Sequence, residues 1–296
     1  MNRFVVRVLA ILACLCLTAV GAVLDARAES SVWVVKGPAA TVYLAGSSHV
    51  LRASDHPLPA EFDLAYRQAG QIIFEAPPGD LETPEYLQKL MRVAALTDGT
   101  TLKNHLTPEV YAKAAAFCKE KNYPFEQYQL FRPWMLSMML TLQEMARIGV
   151  NPDFGVDQHF YQKALADGKP TGGLETADEQ IGFLATMDAG MGNAQVLETL
   201  DDLRDLDAKI EGILSAWRKG DEAGIEAFSL RELRNYPQLY STLIVDRNKK
   251  WIPKIETHIR GSQNTMVIVG VAHLAGKDSV IDLLRKRGHQ VEKLKR

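Results

Sequence analysis

Short apolar runs near both ends of the chain predict β-strands. Residues 31–35 and 41–45 are rich in β-branched and aromatic side chains and predict a hairpin or two successive strands, while residues 71–75 predict a short buried strand. A helical pattern from about Pro59 to Ala69 lies between the second and third of these runs. Strand, helix and strand in this order predict a parallel unit.

The middle of the chain carries a different pattern. From about residue 81 to residue 260, apolar side chains recur at helical spacing, and Pro253 is expected to kink or end the last of these helices. The run 266–269 then predicts another buried strand, followed by a helix near 277–286 and a strand at 290–294. The sequence therefore predicts an α/β fold with a mainly parallel central sheet, β-α-β units at both chain ends and a large helical middle segment.

The first residues predict export. Arg3 and Arg7 precede an apolar run from Val8 to Val23, and the small-x-small sequence 26–28 follows it. This layout is typical of a secretory signal peptide at residues 1–28, cleaved near Ala28, and a retained N-terminal anchor is the alternative. We expect residues 29–296 to form a single domain with the helical segment as an insertion at about 81–260. We expect the protein to be periplasmic or secreted, without a stable membrane span after cleavage.

Charge and cysteine content exclude some classes of protein. Removal of residues 1–28 takes away three of 34 basic and one of 36 acidic residues, which leaves a formal net charge of −4. Nucleic-acid-binding domains usually carry a basic stripe, so we expect no nucleic-acid partner. Only Cys118 remains after cleavage, so an intramolecular disulfide is excluded.

Candidate catalytic side chains follow the predicted strands. In a parallel sheet, ligands bind beyond the carboxyl ends of the strands, and strands that are distant in sequence bring their ends together there. Two imidazoles and two carboxylates in such a crevice fit a divalent metal, with zinc, manganese or cobalt as candidates. The four side chains are His49 of a G-S-S-H turn, Glu75, Glu175, and His273 of a G-V-A-H turn.

Each of these residues also has an ordinary structural interpretation. A single G-x-x-H turn is a weak signal, and only the presence of two copies at equivalent strand ends favours function. Glu175 precedes a predicted capping box and could serve only as a charge at a helix N-terminus. Arg247 could stabilise negative charge on a substrate oxygen with Asn248 orienting it, although their spacing alone favours a surface salt bridge. The sequence contains no G-x-S-x-G, H-E-x-x-H, P-loop or dinucleotide-binding motif.

Several short motifs together resemble one known family. The motifs are Gly46-Ser47-Ser48-His49, Phe74-Glu75, Arg132-Pro133-Trp134, Gly155-Val156-Asp157, Gly173-Leu174-Glu175-Thr176, Arg247-Asn248 and Gly270-Val271-Ala272-His273. They run in order from about residue 31 to residue 294 and resemble those of the TraB/GumN family. That family is itself similar to the Tiki metallopeptidases and, more distantly, to erythromycin esterase-like and ChaN-like proteins.

The resemblance implies roles for these residues. Tiki proteins use paired G-x-x-H motifs with manganese or cobalt, which implies His49, His273 and Glu75 as metal ligands, with zinc as a further candidate ion. Catalytic roles are implied for Glu75, Glu175, Arg247 and Asn248.

The expected function is an exported metal-dependent hydrolase, a peptidase, acting on a peptide or small molecule. The alternatives are a non-catalytic envelope protein that binds haem, saccharide or peptide in the same crevice, and an ester or lactone hydrolase. The oligomeric state stays open.

Overall fold

The structure is a computed structural model that describes residues 30–186 and 192–296. The predicted signal peptide at residues 1–28 lies outside the described residues. Among the residues that are described, no helix combines the length and the apolar character that a membrane crossing requires.

A six-stranded sheet forms the centre of the described chain. The strands are β1 Val32–Lys36, β2 Thr41–Ser47, β3 Gln71–Phe74, β4 Thr171–Gly173, β5 Thr265–Gly270 and β6 Val291–Lys293. Their order in the sheet is β4-β3-β5-β2-β1-β6, and the neighbours β4, β3, β5 and β2 are all parallel. The first two strands form the antiparallel hairpin, and β6 pairs antiparallel with β1 at the edge. The mainly parallel sheet predicted from the sequence is confirmed.

Helices connect the strands and fill the middle of the chain, as the sequence pattern predicts. Most of them lie between β3 and β5. In chain order they are α1 Ala60–Gln68, α2 Pro78–Leu81, α3 Pro84–Ala94, α4 Leu102–His105, α5 Pro108–Lys121, α6 Pro133–Arg147, α7 Val156–Asp167, α8 Ala177–Ala185, α9 Gly192–Asp202, α10 Leu206–Lys219, α11 Glu222–Ser229, α12 Pro237–Tyr240, α13 Asp246–Arg260 and α14 Val280–Lys286.

Both faces of the sheet are covered by apolar side chains. Successive strand residues point to opposite faces, so Tyr43 of β2 packs in one core cluster and Leu44 in the other. The first cluster includes Trp217 from α10, and the second includes Trp251 and Ile255 from α13. The sheet therefore lies between two helical layers, and its parallel strands are buried on both sides as such sheets require.

Both ends of the chain form the predicted β-α-β units. The strand β2 continues through α1 into β3, and β5 continues through α14 into β6, which runs in the same direction as β5 because two antiparallel pairings separate β6 from β2. The carboxyl ends of β2, β3, β4 and β5 therefore lie at one edge of the sheet.

Of the two outcomes expected at Pro253, a kink or a helix end, the helix end does not occur, since α13 continues past the proline to Arg260. A π-helical turn, Ser241–Val245, immediately precedes α13. Ile252, Ile255 and Ile259 of α13 are buried against the sheet, and this apolar face stabilises the helix on both sides of the proline.

Candidate active site

Four loops bring the predicted site residues together at the carboxyl edge of the sheet. His49 lies just beyond β2, Glu75 directly follows β3, Glu175 lies beyond β4, and His273 lies in a short 3₁₀ turn after β5. The β3–β4 pairing extends past the strands, since the Glu175 backbone N–H donates to the Glu75 carbonyl oxygen across 2.8 Å. The predicted convergence of strand ends therefore holds for all four residues.

Glu75 lies at the centre of this group. One carboxylate oxygen, Oε1, accepts the backbone N–H of Gly270 at 2.7 Å and lies 3.9 Å from His49 Nε2 and 3.8 Å from His273 Nε2. The other, Oε2, accepts a hydrogen bond from Arg247 at 2.5 Å. Burial alone would raise the pKa of Glu75, but His273, Arg247, His49 and the Gly270 amide lower it by more, to about 2. Glu75 is therefore ionised at neutral pH.

Gly270 provides the space in which these groups meet. A Cβ atom at this position would lie 2.8 Å from His49 Nε2, 3.2 Å from Glu75 Oε1 and 3.6 Å from His273 Cδ2. Its backbone angles, φ −48° and ψ 132°, are ordinary for any residue. The glycine is needed here because the two histidines and the carboxylate approach the backbone closely.

Arg247 lies inside the site rather than on the surface. Its side chain is 11% exposed, and its guanidinium bonds to Glu75 and to both oxygens of Glu175, at 2.6 Å and 3.1 Å. The ring of Trp251 lies 4.8 Å from the guanidinium carbon. The spacing of Arg247 and Asn248 favours a surface salt bridge, and this interpretation is wrong because both side chains are buried.

The carboxylate of Glu175 is fully occupied by donors. Besides Arg247, it accepts the indole N–H of Trp251 at 3.1 Å and the side-chain amide of Gln180 at 3.1 Å. Its side chain is only 4% exposed. Glu175 thus fixes the position of Arg247, and its contacts are those of a structural anchor rather than of a free base.

His273 is held in a buried pocket. Its Nδ1 atom lies 2.7 Å from Asn248 Oδ1, which as an amide oxygen only accepts, so Nδ1 carries the proton. The Asn248 amide in turn donates to the Asp278 carbonyl oxygen. The imidazole packs against Trp251 with ring centroids 4.5 Å apart. Burial lowers the pKa of His273 to about 3, so the ring is neutral at pH 7.

His49 has the opposite environment. Its side chain is 58% exposed, and its Nδ1 lies 2.8 Å from Asp157 Oδ2. The negative charge of Asp157 raises the pKa of His49 to about 9, with a smaller contribution from Glu75. The same Asp157 oxygen accepts the hydroxyl of Ser47. His49 therefore directs Nε2 towards Glu75 while a carboxylate holds its other nitrogen.

The donors fit a divalent ion in kind and in pairwise spacing. With metal–ligand bonds of about 2.1 Å, two donors on one ion lie at most about 4.2 Å apart, and the separations of each Nε2 from Glu75 Oε1 satisfy this limit. Each histidine also has the outer hydrogen-bond partner that metal-binding imidazoles use. However, within residues 30–186 and 192–296 no three His, Cys, Asp or Glu side chains are arranged to hold a metal. Arg247 Nη1 lies 3.2 Å from His273 Nε2 and competes for the same atom.

A cleft of about 380 Å³ opens onto the site from the surface. His49, Glu75 and Asp157 line this cleft, together with Glu82 and Asp153. The buried side chains of Arg247 and His273 contact Glu75, and Glu175 contacts Arg247. A substrate in the cleft would therefore lie against His49 and Glu75.

Sequence reasoning named Asp157 only as part of a family motif and did not assign it to the site. The sequence likewise gives no site role to Ser47 or to Trp251. The position of Asp157 in the first turn of a helix gives no indication that it reaches a histidine 108 residues earlier. Its place in a short motif was the only available signal.

The fold and the site define a class of α/β protein in which the loops after parallel strands form the site. In this chain, imidazoles, carboxylates and an arginine meet at that edge of the sheet. The model of the TraB/PrgY/gumN family matches residues 31–293. The chain belongs to this family.

Curated relatives match the chain at low identity. The uncharacterized protein YbaP of Escherichia coli K12 is 24% identical over 248 residues, which cover 82% of this chain and 87% of YbaP. The metalloprotease TIKI2 of Danio rerio is 24% identical over 325 residues, covering 89% of this chain and 61% of TIKI2. A metalloprotease TIKI homolog of Nematostella vectensis is 22% identical over 323 residues, which cover 90% of this chain and 67% of the homolog. No solved structure gives a significant match.

Proposed function

We propose that this chain is an exported metal-dependent hydrolase that acts as a peptidase. One observation carries the proposal: His49 Nε2, His273 and Glu75 Oε1 all lie within 4 Å of the position that a Cβ on Gly270 would occupy. Two imidazoles and a carboxylate around one point, each fixed by an outer hydrogen bond, are a donor set suited to a divalent ion. The metalloprotease names of the TIKI relatives support the same reaction class.

In this proposal, His49, His273 and Glu75 hold the ion. Manganese or cobalt is proposed from the likeness to Tiki proteins, with zinc as a further candidate. The ion would supply Lewis-acid chemistry that polarises a substrate carbonyl. Binding requires Arg247 to leave His273 Nε2, because one lone pair cannot serve both a guanidinium N–H and a metal. It also requires His49, whose pKa is raised to about 9, to release its Nε2 proton.

The other side chains have supporting roles. Arg247, once shifted, remains tethered to Glu175 and presents a permanent positive charge to a substrate oxygen that gains negative charge during the reaction. Asn248 fixes the tautomer of His273 with Nε2 unprotonated. Because the donors around Glu175 occupy both of its oxygens, we assign it to holding Arg247, and Glu75 is the carboxylate left for ligation or proton transfer.

The substrate and location follow from the same reasoning. The cleft above His49 is open to solvent, and we propose that it receives an extended peptide or a small molecule. The sequence of residues 1–28 supports action outside the cytoplasm, in the periplasm or after secretion.

The test is metal content and peptidase activity of residues 29–296. Purified wild type, His49→Ala and His273→Ala are compared by elemental analysis and by hydrolysis of a mixed peptide library in manganese, cobalt and zinc. His258→Ala is the control, because His258 contacts Gln71 and Thr265 at the opposite, amino end of the strands. We expect both site variants to lose metal and activity and the control to retain them. Stoichiometric metal that survives both site substitutions would overturn the proposal.

A non-catalytic binding function is the second candidate, and one observation favours it: Arg247 lies between His273 and Glu75, where a cation would bind. A ligand that binds only the folded state raises its stability in proportion to the logarithm of ligand excess. Thermal shifts with porphyrin, oligosaccharide or peptide but none with manganese, cobalt or zinc would support this candidate. Hydrolysis of esters or lactones in preference to peptides would instead identify the third reaction class.

A further inference from the structure

The start of helix α7 packs directly onto the turn that carries His49. The Val156 backbone N–H donates to the Ser48 carbonyl oxygen at 3.1 Å. A Cβ on Gly155 would lie 2.3 Å from the His49 carbonyl oxygen, so only glycine permits this approach. Val156 itself is fully buried in the core. Gly155-Val156-Asp157 and Gly46-Ser47-Ser48-His49, two separate motifs in the sequence, are therefore one packed unit.

Asp157 is the residue of this unit that reaches the histidine ring. As a carboxylate it can only accept, so His49 donates through Nδ1–H across 2.8 Å. This hydrogen bond leaves Nε2 for the site and sets the direction in which it points. Ser47 donates its hydroxyl to the same carboxylate oxygen, which fixes the Asp157 side chain in turn.

The two histidine rings of the site depend on their hydrogen-bond partners, Asp157 for His49 and Asn248 for His273, to different degrees. The His273 side chain is 5% exposed and packs against Trp251, so the surrounding side chains hold the ring even without its polar partner. The His49 side chain is 58% exposed. For an exposed imidazole, packing restricts the ring little, and the hydrogen bond that it donates to a fixed carboxylate is the main constraint on its orientation.

We propose that Asp157 is a positioning residue for His49, fixing the ring so that Nε2 faces Glu75, with Ser47 holding the Asp157 carboxylate. The consequence for metal affinity rests on the proposed function, whereas the orientation of the ring does not. Helix α7 thereby contributes to the site through its first turn, although it supplies neither of the two histidines nor Glu75.

The test compares Asp157→Ala, Asp157→Asn and the control Asp153→Ala in metal-free and cobalt-loaded protein. Asp153 carries the same charge and lines the same cleft, and among the described residues no hydrogen bond joins its side chain to either histidine. The first measurement is the order parameter of the His49 ring, by NMR of metal-free protein labelled at histidine. The second is the dissociation constant for cobalt, by competition with a chelator, and the third is the melting temperature.

We expect Asp157→Ala to lower the His49 order parameter and to weaken cobalt binding about 10- to 100-fold, the usual effect of losing an outer partner of a ligand. The His273 ring should keep its order. Asp157→Asn retains an acceptor oxygen and should recover part of both losses, and Asp153→Ala should change neither. A role confined to stability would lower the melting temperature of Asp157→Ala and leave both the ring and the cobalt affinity unchanged.

The outcomes separate this inference from the proposed function. An unchanged His49 ring and unchanged cobalt affinity in folded Asp157→Ala overturn the inference while leaving the metal site intact. A loss of ring order without a loss of cobalt affinity overturns the link to the metal. If the wild type binds no cobalt, manganese or zinc, the proposed function fails, and the ring measurement still decides whether Asp157 positions His49.

Discussion

Arg247 and Glu75 form an ion pair of 2.5 Å, with only 11% and 10% of their side chains exposed. Glu175 binds the same guanidinium, through Nε and through the Nη2 atom that also donates to Glu75, and is buried more deeply still. Two carboxylates therefore share one cation, and within residues 30–186 and 192–296 no other positively charged side chain lies as close to either of them. The stability of this edge of the sheet depends on that cation.

Arg247→Ala should therefore destabilise the protein strongly. Removing one partner of a buried ion pair leaves an uncompensated charge, at a cost of about 3 to 5 kcal/mol. Urea denaturation at pH 7 measures the free energy of unfolding. Arg247→Ala combined with Glu175→Gln should recover part of the loss, because one of the two stranded carboxylates is then neutral.

The matched control for Arg247 is an exposed ion pair. Lys89 and Asp178 lie 2.7 Å apart with side chains 51% and 66% exposed. Pairs of this kind contribute about 0 to 1 kcal/mol. If Arg247→Ala lowers the free energy of unfolding no more than Lys89→Ala does, the buried pair is not the stabilising element that its geometry indicates.

Glu256 should make the stability depend on pH, independently of the candidate site. Hydrogen bonds from Arg287 at 2.7 and 2.8 Å and from His289 at 3.0 Å lower the pKa of Glu256 to about 2. The carboxyl of an unfolded chain has a pKa of about 4.3. Because the folded-state pKa is the lower one, this stabilisation is fully present above about pH 4.3 and is lost as the pH falls towards 2.

Glu256→Gln should accordingly be less stable than wild type at pH 7, by about 1.5 to 3 kcal/mol as for a hydrogen bond to a charged group. The difference should shrink between pH 4 and pH 2, where wild type also becomes protonated. Urea denaturation across this range measures it. Glu120→Gln is the control, since the Glu120 side chain is 73% exposed. A stability difference that stayed constant down to pH 2 would contradict the assignment.

Cys118 should be unreactive in the folded protein. It is completely buried in the core, and burial raises the pKa of its thiol to about 11. The thiolate is the reactive form of cysteine. At pH 8 the Cys118 side chain is a neutral thiol, and its burial keeps a reagent from reaching it. In residues 29–296, a colorimetric thiol reagent should label Cys118 only after unfolding. Ala116→Cys, on the exposed face of the same helix, should react at once and serves as the control.

The sequence predicted the framework of the site well. Strand ends can be recognised from short apolar runs followed by glycine, so the placement of His49, Glu75, Glu175 and His273 at one edge followed from the parallel topology alone. Topology fixes where a backbone ends and says little about which side chains touch. The pairing of Arg247 with Glu175 joins residues 72 positions apart and depends on how α13 packs on the sheet.

Two expectations do not hold in the structure: a surface position for Arg247 and Asn248, and a helix end at Pro253. Both have the same origin. The spacing of Arg247 and Asn248 favours a surface position because charged and amide residues on a helix usually face solvent. In the structure, the isoleucine-rich face of α13 packs on the sheet and carries both residues into the site. Similarly, Pro253 weakens the helix locally, and the buried face compensates. Tertiary contacts outweighed a local preference in both cases.

Gly270→Ala tests the space at the centre of the site directly. The backbone angles at Gly270 suit alanine, so the fold should be retained and the melting temperature little changed. The new Cβ would lie 2.8 Å from His49 Nε2 and 3.2 Å from Glu75 Oε1, so both side chains must move by a few tenths of an ångström or more. Small displacements of reacting groups reduce rates by up to about 100-fold. We therefore expect a large loss of activity and of metal affinity in a folded protein.

Gly182→Ala is the matched control for Gly270→Ala, because no atom lies within 4 Å of a Cβ at this helical position. It should leave activity unchanged and stabilise the protein by up to about 1 kcal/mol, as alanine favours a helix over glycine. The comparison separates a general effect of losing a glycine from the loss of this particular space. Full activity in Gly270→Ala would mean that the reacting groups do not meet above Gly270, and the proposed site would have to be placed elsewhere in the cleft.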